Sequence, residues 1–178
     1  MRHPALVLAA MWIVFLVNES LFGGTLNAFG LRPHNLYGLT GILTAPFLHI
    51  NLAHIQSNTF AYVLLAGMLL LKNAEEFPYA FWGSALLGGL GNWIIGSPSI
   101  TGIGASGAIY GLFGYLLSGG FWSPKSFPDL MCSGLTAAWF LSLIYGALPG
   151  FVPPGVSWEA HLCGFLAGII VSYKVNKQ

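Results

Sequence analysis

The run Gly104-Ala105-Ser106-Gly107-Ala108-Ile109-Tyr110-Gly111 leads without a single charge into Leu112-Phe113-Gly114-Tyr115-Leu116-Leu117-Ser118-Gly119-Gly120. A stretch of this kind reads as a helix in apolar surroundings. Gly107 and Gly111, four residues apart, form a smooth face against which another helix can pack closely. Ser106 is the one polar side chain at the start of that helix.

The surrounding chain has the same character. It is 56% hydrophobic and 6% charged, whereas an ordinary soluble domain carries about 25% charged residues. Lipid is therefore its main solvent. Crossing a ~30 Å hydrocarbon core takes about 20 helical residues, and apolar stretches of suitable length fall at 4–22, 54–71, 78–95, 106–120, 130–148 and 157–173. The expected fold is an all-α integral membrane protein, a six-transmembrane-helix bundle occupying residues 1–178 as a single membrane domain. Gly88-Gly89-Leu90-Gly91-Asn92 interrupts the third span, and membrane helices tolerate such glycines better than soluble ones. The basic start Met1-Arg2-His3 resembles a signal peptide, but residues 15–24 contain no clean small-x-small cleavage site and the run is long enough to span.

Cys132 and Cys163 both fall within apolar helices, which gives no disulfide framework. The net charge of +1 comes with no basic patch, so no nucleic-acid partner is expected. If six helices alternate in direction, Arg2, Lys72, Lys125, Lys174 and Lys177 share one side, and only Arg32 lies on the other. The positive-inside rule then makes both termini cytoplasmic, as in a bacterial inner membrane.

Counting back from the inner helix ends, Asn58 is 14 residues before Lys72, Ser106 is 14 before Gly120 and His161 is 13 before Lys174. At about 1.5 Å per residue each lies roughly 10 Å below the outer face of the membrane core. Three polar groups on three helices at one level form a layer open to the outer side, and polar groups at such depth mark a functional site by default.

Each residue also has a plainer reading. Ser106 alone reads as a helix cap or a packing residue, but a helix N-terminus beside it supplies free N–H groups where negative charge could develop. Gly-Ala-Ser-Gly is not the G-x-S-x-G elbow of soluble hydrolases. His161, Gly164 and Gly168 share one helix face, and if that face meets Gly107 and Gly111, the imidazole comes within the ~2.6–3.2 Å needed to take the serine proton. A histidine bonded to a carbonyl is the plainer alternative. His54 and Asn58, at i and i+4, are candidate donors to an oxyanion or simply hold helices together. His49 reads as structural, and Tyr110 lies one turn after Ser106, where its ring can pack under His161 or serve as core. There is no His-Glu-x-x-His, and Glu159 is rotated about 200° from His161, so no metal or other cofactor is expected.

Together these residues resemble the rhomboid family of intramembrane serine proteases. The resemblance rests on G-x-S-G-x-x-Y at Gly104 to Tyr110, on H-x-x-x-x-H-x-x-x-N at His49, His54 and Asn58, and on A-H-x-x-G-x-x-x-G at Ala160, His161, Gly164 and Gly168. It implies a Ser106–His161 dyad without an aspartate. The oxyanion hole would be His54, Asn58 and the Ser106 N–H, with Tyr110 stacked on His161 and His49 holding the first external loop. The implied partners are single-pass transmembrane substrates and the lipid bilayer, cut near weak helix formers. The pattern departs from the family where Gly38-Leu39-Thr40-Gly41-Ile42 replaces a common Trp-Arg. A non-proteolytic escort of membrane clients is the alternative, which a missing serine or histidine would favour. A transporter would need carboxylates along the polar route, and only Glu19 and Glu159 fall near outer helix ends.

Overall fold

The computed structural model describes residues 3–177 of the 178; Arg2, counted above among the basic residues, lies outside them. The described residues form helices joined by loops, and their single extended pairing is one antiparallel bridge between Leu31 and Gly102. Among the described residues seven α-helices form: α1 Pro4–Phe22, α2 Gly41–Thr44, α3 Leu52–Asn73, α4 Ser84–Ile95, α5 Ser106–Trp122, α6 Phe127–Phe140 and α7 Trp158–Asn176. The one-turn α2 belongs to the first loop and raises the count above the six expected.

Three helical segments have the length and composition to cross a membrane: Pro4–Phe22, Leu52–Glu76 and Phe127–Ala147. The remaining long helices differ for physical reasons. At 17 residues, α5 is nearly all buried, so its neighbours and not lipid surround it. Its partner α7 carries Glu159, His161 and Lys174 on 19 residues. The π-helical turn Tyr79–Gly83 precedes α4, and the helix runs on through Gly88, Gly89 and Gly91 without breaking.

The centre of the bundle is the contact of α5 with α7. A Cβ on Gly164 would overlap the Gly107 carbonyl oxygen, and one on Gly168 would overlap that of Gly111. The two small-residue faces thus meet backbone to backbone, which brings the start of α5 against the first turns of α7. Gly88 of α4 approaches Gly164 in the same manner, its added Cβ falling 2.8 Å from the Gly164 Cα.

At the opposite end, Lys72 of α3 pairs with Glu76 and lies 2.8 Å from Asp129 of α6. Tyr115 of α5 donates to Glu76 at 2.6 Å. Sequence reading counts Lys72 among the basic residues of one membrane side. Its side chain is 4% exposed, because two carboxylates and the Tyr115 ring enclose it.

The expected fifth span, 130–148, is not one continuous α-helix. α6 ends at Phe140 and a 3₁₀ segment, Leu141–Ala147, follows. The first loop is held without Trp-Arg. Gly38 and Gly41 lie so close to the Arg32 and Leu31 backbones that no side chain would fit. His34 and Asn35 are tied to the end of α4, through His34 N–H to the Trp93 carbonyl at 3.1 Å and Trp93 Nε1 to the Asn35 carbonyl at 2.9 Å.

Candidate active site

Ser106 is the first residue of α5, and Gly104 before it has φ +105°, a conformation that side chains rarely adopt. That turn leaves the serine hydroxyl at the helix mouth. Ser157 caps α7 by accepting from the Ala160 N–H at 3.1 Å, which places His161 in the first turn. With the glycine faces in contact, Ser106 Oγ and His161 Nε2 are 2.9 Å apart.

The other imidazole nitrogen fixes the proton inventory. His161 Nδ1 lies 2.8 Å from the Gly146 carbonyl oxygen. A carbonyl can only accept, so Nδ1 carries the proton, and in the neutral ring Nε2 is left as the acceptor for the serine O–H. Tyr110 stacks on the same ring, centroids 4.2 Å apart and planes 6° from parallel, while its hydroxyl donates to the Leu143 carbonyl at 2.8 Å. Both carbonyls come from the 3₁₀ segment. Sequence reading missed Gly146 and Leu143, because a backbone carbonyl leaves no side-chain signature.

His54 and Asn58 project from the first two turns of α3 toward Gly104. A Cβ on Gly104 would lie 2.7 Å from His54 Nε2 and 3.2 Å from Asn58 Nδ2, so only glycine leaves room there. Asn58 is 5% exposed, and its Nδ2 is buried without a hydrogen-bond partner among the described residues. An unpaired buried donor costs about 1–3 kcal/mol, and sites that await an acceptor retain such groups. His49 is fully buried, its ring 5.1 Å from that of His54 and edge-on to it. Burial, and after it the neighbouring His54, push His49 down to about 4 from the ordinary histidine value.

Ser106, His161, His54, Asn58 and Gly104 line one cavity of about 550 Å³. Asn92 and Ser157 form its far wall, the Ser157 hydroxyl lying 3.3 Å from Asn92 Oδ1 and 3.0 Å from Glu159 Oε2. Neither was singled out from sequence, where Asn92 figures only in the glycine-rich interruption of the third span. Chemically, the cavity combines a hydroxyl, an imidazole base oriented from behind and unpaired donors close by.

An apolar helical bundle with a polar cavity sunk into it is an integral membrane protein. The model of the rhomboid domain matches residues 36–178, and the chain belongs to the rhomboid family. Among its relatives is an uncharacterized protein of Mycobacterium tuberculosis, 33% identical over 174 residues that cover 94% of this chain and 72% of the relative. An uncharacterized Mycobacterium leprae protein is 30% identical over 182 residues, covering 95% of this chain and 68% of that one. The chloroplastic rhomboid-like protein 11 of Arabidopsis thaliana is 28% identical over 160 residues, covering 81% and 55%.

Proposed function

We propose that this protein is an intramembrane serine endopeptidase that cleaves the transmembrane segments of single-pass client proteins. The observation that carries the reading is the 2.9 Å approach of Ser106 Oγ to His161 Nε2, with Nδ1 committed to Gly146. His161 takes the hydroxyl proton as Ser106 attacks a client carbonyl. His54, Asn58 and the Ser106 N–H donate to the oxyanion of the tetrahedral intermediate. Collapse of that intermediate expels the amine, protonated by His161, and leaves an acyl-serine that water hydrolyses by the same base. No cofactor takes part.

The chain crosses the membrane six times with both termini cytoplasmic, so the cavity opens to the outer side of a bacterial inner membrane. Helical peptide bonds are shielded, and a client must unwind to present one. Clients with Gly, Pro or other weak helix formers near the cut and a small residue before it are preferred. The test is co-reconstitution of the purified protein with a single-pass client in vesicles. Cleavage within the client's transmembrane segment, abolished by Ser106→Ala, supports the reading, and equal cleavage by Ser106→Ala ends it.

A further inference from the structure

Asn18 lies in the last turn of α1 and is 1% exposed, although Leu21 and Phe22 beside it face outward. A buried amide at a lipid-facing helix end is costly unless its hydrogen bonds are made. One branch of them leads toward the candidate active site. Asn18 Oδ1 accepts from the Leu26 N–H at 3.0 Å, and Asn18 Nδ2 donates to Asn27 Oδ1 at 3.2 Å. Asn27 Nδ2 in turn donates to the His49 carbonyl at 3.3 Å. The carbonyl of His49 can only accept, so Asn27 must present its nitrogen there and its oxygen to Asn18. Turning either amide over would set two like groups against each other.

This relay ends at the wall of His54. The His49 ring stands edge-on to the His54 ring at 5.1 Å. Gly104 also closes in on the ring, held by its N–H to the Ala45 carbonyl at 2.9 Å. His54 Nδ1 is buried and has no hydrogen-bond partner among the described residues. The orientation of the ring therefore comes from its two walls and not from a bond of its own.

We infer that Asn18 is a positioning residue for His54, acting through Asn27 and the His49 backbone, so that the first helix sets the aim of an oxyanion donor on the third. The inference rests on the proposed assignment of His54 to the oxyanion hole. Removing the relay lets the His49 loop drift and His54 with it. A 1 Å misplacement costs up to ~10²-fold in rate, so a partial drift costs about tenfold.

The test compares two ligands of one peptide sequence. A peptidyl aldehyde forms a tetrahedral adduct with Ser106, whereas the matching peptidyl alcohol binds without one. Asn18→Ala and Asn27→Ala each lower kcat about tenfold with KM within twofold, a fraction of the ~10²-fold limit. Each weakens the aldehyde by the same factor and leaves the alcohol unchanged. In a His54→Ala background, Asn18→Ala has no further effect on aldehyde binding. Equal weakening of both ligands, or an additive loss in that background, overturns the inference. Asn27 is half-buried in the short 3₁₀ segment Thr25–Phe29, and an unaltered aldehyde preference in Asn27→Ala overturns it even where Asn18→Ala fails to fold. A wild-type protein that neither cleaves clients nor prefers aldehyde to alcohol overturns the protease reading instead, a separate outcome.

Discussion

Tyr110 lies flat against His161, ring centroids 4.2 Å apart, with its hydroxyl bonded to the Leu143 carbonyl. One residue thus supports the base and ties down the 3₁₀ segment whose Gly146 carbonyl holds the base from the other side. Stacked aromatic pairs contribute about 0.5–1.5 kcal/mol beyond buried area. Tyr110→Ala is expected to lower kcat about tenfold or more, while Tyr110→Phe, which keeps the stack, retains most of it. Steady-state cleavage of a fluorogenic transmembrane peptide measures the difference.

Asn58 Nδ2 is a buried donor with no acceptor among the described residues. If it serves the oxyanion, Asn58→Ala lowers kcat by about 10²–10³-fold and leaves the melting temperature in mild detergent unchanged or slightly higher. A large drop in melting temperature with little change in kcat would make Asn58 a helix contact only.

Those donors illustrate what sequence can show. Spacing alone put His54 and Asn58 on one face of α3, and it put each glycine pair, Gly107 with Gly111 and Gly164 with Gly168, on one face of its own helix, because helical periodicity is written in side-chain identity; that the two glycine faces meet is seen only in the fold. The base's second partner was not legible. Gly146 contributes a carbonyl, and the apolar run 130–148 gives no sign that α6 ends at Phe140. A 3₁₀ segment there directs the Leu143 and Gly146 carbonyls toward Tyr110 and His161. The Asn18–Asn27 relay was equally hidden, since an asparagine near a helix end reads as a cap.

Lys72 of α3, at 4% side-chain exposure, pairs with Glu76 and reaches across to Asp129 of α6. Removing one partner of a buried pair typically costs 3–5 kcal/mol, because the remaining charge is left uncompensated. Lys72→Met should therefore destabilise the protein by about that amount, seen as a lower midpoint in denaturant titration in detergent. A neutral result would show that water already reaches Glu76 and Asp129.

His49 is held neutral by burial and by its neighbour His54, with its pKa down at about 4. The unfolded chain's histidine binds a proton near 6.5 and the folded one resists until about 4, so between these values the unfolded state holds more protons. Stability is complete above pH 6.5 and is lost as pH falls toward 4, reaching on the order of 3 kcal/mol at about 1.4 kcal/mol per unit. Melting curves across this range should show the fall, and His49→Gln should flatten it.

The central claim is that Ser106 is a nucleophile activated by His161. The most direct measurement is intact-mass spectrometry after incubation with a fluorophosphonate, followed by peptide mapping. The account predicts one adduct, on Ser106, in the wild-type protein, and essentially none in Ser106→Ala or His161→Ala. It also predicts that the double variant is no worse than either single one, as expected of groups acting as a unit. An adduct on another residue, or undiminished labelling of Ser106 in His161→Ala, would contradict it.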